Sequence, residues 1–161
     1  MLQIMRVFLA LLMFRSGVGL SREVSGNAPG SRRLTLHAQG QQIYMCLPAP
    51  SGGLKWTLVE PAAELFEGDV YVGVHSMGPS WLMSDNSSIR AKVLNMSSGV
   101  SKTDIPMLHM EVTERGGIGR LSGVRYVDRL QTFGGMLSGP CAVEDMSEGV
   151  PYKAVYEFSY R

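Results

Sequence analysis

The sequence predicts an all-β domain, a sandwich or a closed barrel of about eight to ten short, mostly antiparallel strands. Three observations carry this reading. Towards the C-terminus the chain alternates strictly: Tyr152, Ala154, Tyr156, Phe158 and Tyr160 share one face, with Lys153, Glu157, Ser159 and Arg161 among the residues on the other. A period of two maintained that long marks a half-buried strand. The 19 Gly and 8 Pro are scattered among short apolar runs, punctuation that suits many turns better than a few long helices. No segment carries the three-and-four spacing of apolar residues that an amphipathic helix needs.

Taken in order, the elements begin with a segment of different character. Arg6 precedes the apolar run Val7 to Phe14, and the small residues Ser16, Gly17 and Gly19 follow. A positive start, an apolar centre and a small-residue exit predict a secretory signal peptide over residues 1–19 and a secreted, extracellular protein. The run falls short of the roughly 20 apolar residues of a bilayer span, so no transmembrane segment is expected. Residues 20–39 open rich in Ser, Gly and Arg and read as a flexible leader. A single β-domain is then predicted over 40–161.

Within it, Gln42 to Leu47 is a first strand, ended by Pro48-Ala49-Pro50-Ser51-Gly52-Gly53, and Lys55 to Glu60 a second, stopped by Pro61. A short piece around Ala63 to Phe66 leads into the Glu67-Gly68-Asp69 turn. Val70 to Ser76 alternates, with Val70, Val72 and Val74 opposite Tyr71, Gly73 and His75. After the Gly78-Pro79 turn come Trp81-Leu82-Met83 and the polar turn Ser84 to Ser88. Ser88 to Leu94, Met107 to Val112 and Val124 to Leu130 are further strands before the alternating C-terminal one.

Composition excludes some partners. The net charge is +1 with no block of like charges, so the clustered Lys and Arg that neutralise phosphates are missing and nucleic acid is not an expected partner. Cys46 and Cys141 are the whole cysteine supply. In a secreted chain an even count favours one disulfide, while two buried free thiols are the other ordinary fate. Two isolated Cys and three dispersed His lack metal-ligand spacing, and no metal is predicted. Asn86-Ser87-Ser88 and Asn95-Met96-Ser97 are glycosylation sequons.

The chain resembles the secreted family known as domain of unknown function 3455. The resemblance rests on Gly40-Gln41-Gln42-Ile43-Tyr44-Met45-Cys46, on Trp56 to Ala63, and on Val72-Gly73-Val74-His75-Ser76-Met77-Gly78-Pro79-Ser80-Trp81. It continues through Ile105-Pro106-Met107-Leu108, Gly123 to Gly135, Cys141 and Val150-Pro151-Tyr152. The order and spacing of these stretches carry it, over about three-quarters of the chain. It implies a secreted or periplasmic β-domain with Cys46 paired to Cys141, and no assigned activity. Members of that family tend to carry an aromatic residue where this chain has Ser76, Asp-Gly-Ser where it has Asp85-Asn86-Ser87, and Trp where it has Met107. A pocket lined by those positions is altered here.

His75 and Trp81 flank the Gly-Pro turn, and imidazole beside indole suggests a cleft for a small molecule or glycan, with Asp85 to orient the imidazole. The structural alternative puts Trp81 in the core and His75 on a backbone carbonyl. His109, between Leu108 and Met110, reads as a satisfied strand histidine, and His37 carries no signal. Arg129 beside Asp128 resembles a buried polar corner that holds loop backbone, or a carboxylate-binding pair. Catalysis has little support: there is no Gly-x-Ser-x-Gly elbow, and nothing singles out a pair among Glu60, Glu64, Glu111 and Glu114. Gly117-Ile118-Gly119 is followed by Ser122 and no helix, so neither a nicotinamide nor any other cofactor is expected. The expected function is a secreted, disulfide-stabilised β-domain that binds a small ligand, glycan or surface partner. The alternative is an extracellular enzyme with a His75/Asp85/Trp81 cleft.

Overall fold

The alternating residues near the C-terminus pair with a first strand that starts earlier than expected, and this pairing closes the sheet. The computed structural model describes residues 32–160; the signal peptide expected at 1–19 and the leader before Arg32 lie outside the described residues. Eight strands follow: β1 (Arg33–Pro48), β2 (Leu54–Glu67), β3 (Val70–Ser76), β4 (Ser80–Met83), β5 (Ser88–Ser97), β6 (Met107–Gly116), β7 (Tyr126–Gly134) and β8 (Ser147–Ser159). Each pairs antiparallel with the next, and β8 returns to β1 in a register running from Arg33 opposite Ser159 to Met45 opposite Ser147. Between sandwich and barrel, the fold is a closed barrel. Among the described residues no helix is long and apolar enough to cross a membrane.

Two expectations are corrected. Residues 33–39 belong to β1 and not to a flexible leader. Leu34, Leu36 and Ala38 point into the core while Arg33, Thr35 and His37 face solvent, so the segment has the period of a strand. Pro61 does not stop β2, which continues to Glu67. Only Ala63–Glu67 of β2 pairs with β3, so Pro61 lies where that side of the strand is an edge, a place that tolerates a residue without a donor. Three strands, β1, β2 and β8, are therefore long and not short.

Because the barrel runs up and down, its connections alternate between two ends. One end carries residues 68–69, 84–87 and 117–125 together with the chain entry at Arg32 and exit at Tyr160. Leu121 and Val124 of the longest of these loops are fully buried there, and Leu121 N–H donates to Ser87 Oγ at 3.1 Å. This end is closed. The other end carries residues 49–53, 77–79, 98–106 and 135–146. The Cys46–Cys141 disulfide, with Cα atoms 5.8 Å apart, ties β1 to the last of these loops. That loop also donates from Cys141 N–H to Leu54 O and accepts from Trp56 N–H at Gly139 O.

In β3 the buried residues are Gly73 and His75, while Val72 and Val74 are half-buried, Val72 still packing against the core. An eight-stranded barrel has an interior just wide enough for side chains. Here Leu36, Leu65, Trp81, Met110, Val127, Tyr156 and Phe158 fill it.

Candidate functional site

Two short strands open the wall of the barrel. β3 and β4 are joined by the 77–79 turn, and β4 pairs with β5 only between Ser80–Leu82 and Ser88–Arg90. The open-end halves of β2 and β5 rise past this hairpin with no strand between them. They carry apolar side chains that are unusually exposed: Leu58, Val59, Val93 and Met96 are 37–60 % accessible. A cavity of about 450 Å³ lies in the notch, with Gly78 and Pro79 as its sill and Pro106 and Met136 from the opposite loops above it. That volume is in the range of small-molecule sites, and barrel mouths are a usual place for them.

The inner wall of this cavity is polar. Gln42, His75 and Arg129 reach it from β1, β3 and β7 and are buried. Behind them lie Trp81, Tyr152 and Tyr156. His75 stacks on Trp81 (centroids 4.7 Å apart, planes 12° apart) and meets the edge of Tyr156 at 5.0 Å. His75 Nδ1 lies 2.8 Å from Ser80 O. Since a carbonyl only accepts, Nδ1 carries the proton and Nε2 keeps its lone pair. The Tyr156 phenol is near enough to Tyr152 and Arg129 for both to bear on its ionisation, but no contact of either hydroxyl meets hydrogen-bond geometry. Gln42 Nε2, Trp81 Nε1, Tyr152 OH, Tyr156 OH and Thr132 Oγ1 are all buried and find no partner within the protein. Such groups are rare in native interiors, and each calls for a reason.

Local backbone features build the site. Gln131 adopts a positive φ of 46° where the β7–β8 register shifts. The extra residue re-aims the strand so that Thr132 points inward and Phe133 outward. Gly135, at φ 84°, accepts the Tyr44 hydroxyl at 2.8 Å, and a Cβ there would meet Tyr152 Cβ at 2.7 Å and Gln42 Cγ at 3.1 Å. Only glycine lets this loop pass so close above Gln42. A larger depression of about 800 Å³ crosses the outer faces of β8, β1, β2 and β3. Exposed side chains such as Gln41, Glu64, Phe133 and Lys153 dominate its lining, whereas the buried Gln42 and Arg129 open onto the smaller cavity, which is therefore the candidate.

Of the residues singled out from sequence, His75, Trp81 and Arg129 come together and Asp85 does not. Asp85 sits in the 84–87 turn at the closed end, three strand residues (about 10 Å) below His75, since Ser84 N–H bonds Val72 O. Its carboxylate accepts the Ser87 hydroxyl and N–H and the Arg120 N–H. The Ser87 hydroxyl foremost, then the two amides, hold its pKa below the ordinary value. It is a turn-forming Asx residue that seats the 117–125 loop. Arg129 and Asp128 do not act as a pair either, because neighbours on a strand face opposite ways. Asp128 lies 2.6 Å from His109 Nδ1 on the outer face, while Arg129 Nε donates inward to Pro106 O at 2.9 Å. Asn86 and Asn95 are both exposed. Among the described residues no cluster of three or more His, Cys, Asp or Glu gathers that could hold a metal.

Gln42, Tyr152 and Tyr156 were not recognised as site residues. The legible signal was Gln42, an amide standing between Ala38 and Tyr44 on an otherwise apolar inward face.

Burial pushes the His75 pKa from 6.5 down to about 4, the nearby Arg129 charge adds to this, and the Ser80 carbonyl opposes it. Between those values the unfolded chain binds a proton that the folded one refuses. Stability is thus full above pH 6.5 and is lost as pH falls towards 4, by about 3 kcal/mol in all. Urea unfolding at pH 7, 5.5 and 4 should show this loss in the wild type and not in His75→Gln. Parallel profiles for the two proteins would mean that His75 titrates normally in the fold.

Comparison with known proteins places the chain without assigning it an activity. No curated protein and no solved structure matches it. A family model matches residues 67–160, a stretch that holds His75, Trp81, Asp85, Arg129 and Cys141 and leaves out β1 with Gln42 and Cys46. That stretch is more than half of the sequence, and the chain belongs to the family described as protein of unknown function (DUF3455).

Proposed function

We propose that the protein acts outside the cell as a disulfide-braced β-barrel that takes a small ligand into its open end and does no chemistry on it. One observation carries the reading: the buried Gln42, whose amide N–H has no partner, and the buried Arg129 line a cavity beneath an exposed apolar wall. A monomer rarely leaves such a wall uncovered without use. The stacking face that a glycan would seek is not offered, because Trp81 is fully buried with His75 against it. An amphipathic small molecule is the better match. Catalysis by a His75–Asp85 pair has no geometric support, and an imidazole with a pKa near 4 is a weak base at neutral pH. Export is supported by the Cys46–Cys141 bridge. In this reading residues 1–19 are a signal peptide and the folded domain begins near Arg33. In a glycosylating host the exposed Asn86 and Asn95 would carry glycans.

The test is binding of a neutral apolar fluorophore, N-phenyl-1-naphthylamine, to the oxidised protein. Wild type should bind with enhanced emission, and Val93→Glu, a charge placed in the notch, should weaken binding at least about tenfold, equivalent to 1.4 kcal/mol. Phe133→Ser, on the outer surface, should not. Equal binding by all three proteins, or none by wild type, would remove the notch as a ligand site.

A further inference from the structure

We infer that the ligand of the open end is an amphipathic monocarboxylate, its head held by Arg129 and its apolar body lying along Leu58, Val59, Val93 and Met96. The inference rests on the ligand-binding reading above and deepens it. Arg129 is 8 % exposed, and a guanidinium stays charged at any pH a protein survives. Among the described residues no carboxylate comes within 4.0 Å of it. The nearest acids by sequence and loop position are already engaged. Asp128 faces outward to His109, and the buried Asp104 uses its two oxygens on Ser101 N–H and Gly134 N–H, both at 2.8 Å. The Nε of Arg129 donates to Pro106 O, which orients the guanidinium beside the Tyr156 hydroxyl and leaves Nη capacity for a ligand. A buried cation without a counter-charge is costly.

Two of the unpartnered buried atoms, Gln42 Nε2 and Trp81 Nε1, can only donate, and the first shares the cavity lining with Arg129. The Tyr152 and Tyr156 hydroxyls keep their protons, because burial raises both pKa values. The cavity lining holds no acid. One fixed positive charge, with the Gln42 amide N–H in the same lining, matches a single negative charge rich in acceptors, and the planar fork of Arg suits a carboxylate bidentately; the His75 Nε2 lone pair is the one acceptor it must avoid. A dianionic phosphate would leave a net negative charge buried, since His75 is neutral. A cation would meet Arg129 directly. At about 450 Å³ the cavity has room for about fifteen water-sized groups of ~30 Å³, the scale of a medium-chain or aryl carboxylic acid.

Displacement of N-phenyl-1-naphthylamine from the oxidised protein at neutral pH tests this, with decanoate, decanol and decyl phosphate as competitors. Decanoate should displace the probe at about 10- to 100-fold lower concentration than decanol, the range expected for charge-assisted hydrogen bonds. In Arg129→Gln that advantage should disappear while the probe still binds, and Arg129→Lys, which keeps the charge without the fork, should fall between. Should Arg129→Gln not fold, the wild-type contrast between acid and alcohol decides alone. Equal potency of decanoate and decanol, or a preference for decyl phosphate, overturns the carboxylate and leaves the small-ligand reading standing. A probe that binds but yields to none of the three also overturns it. A probe that does not bind at all removes both.

Discussion

Reduction of the Cys46–Cys141 bridge is expected to cost the barrel about 4–5 kcal/mol. The two cysteines are 95 residues apart in sequence, and a cross-link over a loop of that size removes much of the freedom of the unfolded chain. Domains are stable by only about 5–15 kcal/mol, so the loss is a large share of the total and lowers the thermal midpoint by roughly 15 °C. Local geometry adds to the effect. Cys46 is fully buried, and its N–H and C=O bond Met146 O and Asp145 N–H, so the bridge anchors the 135–146 loop to β1. That loop brings Met136 to the cavity and Gly135 to the Tyr44 hydroxyl, and probe binding should weaken along with stability. Protein exported by its host should have no free thiol after denaturation. Urea unfolding with and without reductant, and of Cys46→Ala/Cys141→Ala, measures the term. A difference under about 1 kcal/mol would show that the loop is held without the covalent link.

Much of the strand content was legible because burial leaves a local trace. β8 alternates in sequence and, apart from Val155, which is buried between Ala154 and Tyr156, in burial, and the turn that places His75 opposite Trp81 is a matter of spacing, confirmed by their cross-strand pairing. What escaped is what depends on closure. The pairing of Arg33 with Ser159 joins the two ends of the described chain, and no window of residues contains it. Without β8 beside it, the alternation of Leu34, Leu36 and Ala38 was hidden by the basic and polar residues between them. Pro61 looked like a stop because its exemption comes from the shortness of β3, a property of another strand. The site escaped for the same reason. Gln42, Arg129, Tyr152 and Tyr156 sit on three strands that converge only in the finished barrel. Asp85 was misjudged because nearness in sequence to Trp81 hides the fact that β4 carries the chain from one end to the other.

Trp81→Ala is expected to destabilise the protein by about 3–5 kcal/mol. Trp81 is fully buried, with His75 on its face and Tyr156 and Phe158 against it at 5.5 and 5.8 Å. Aromatic geometry of this kind adds to simple area burial, and three rings anchored on two other strands cannot collapse fully into the space of an indole. Trp81→Phe should cost much less, about 1–2 kcal/mol, because it keeps a ring and removes an indole N–H that has no partner. The alanine variant also reports on the site. Its void adjoins His75, and water entering there would ease the desolvation that holds the imidazole near 4. Its pKa should rise towards 6.5, and the acid lability predicted for the wild type should shrink with it. Proton NMR of the His75 ring across pH 3.5–7.5, alongside urea unfolding, reads both effects. A stability loss below about 1 kcal/mol with an unmoved His75 pKa would mean that Trp81 is not packed as part of the barrel interior, and the polar floor proposed for the ligand would lose its support.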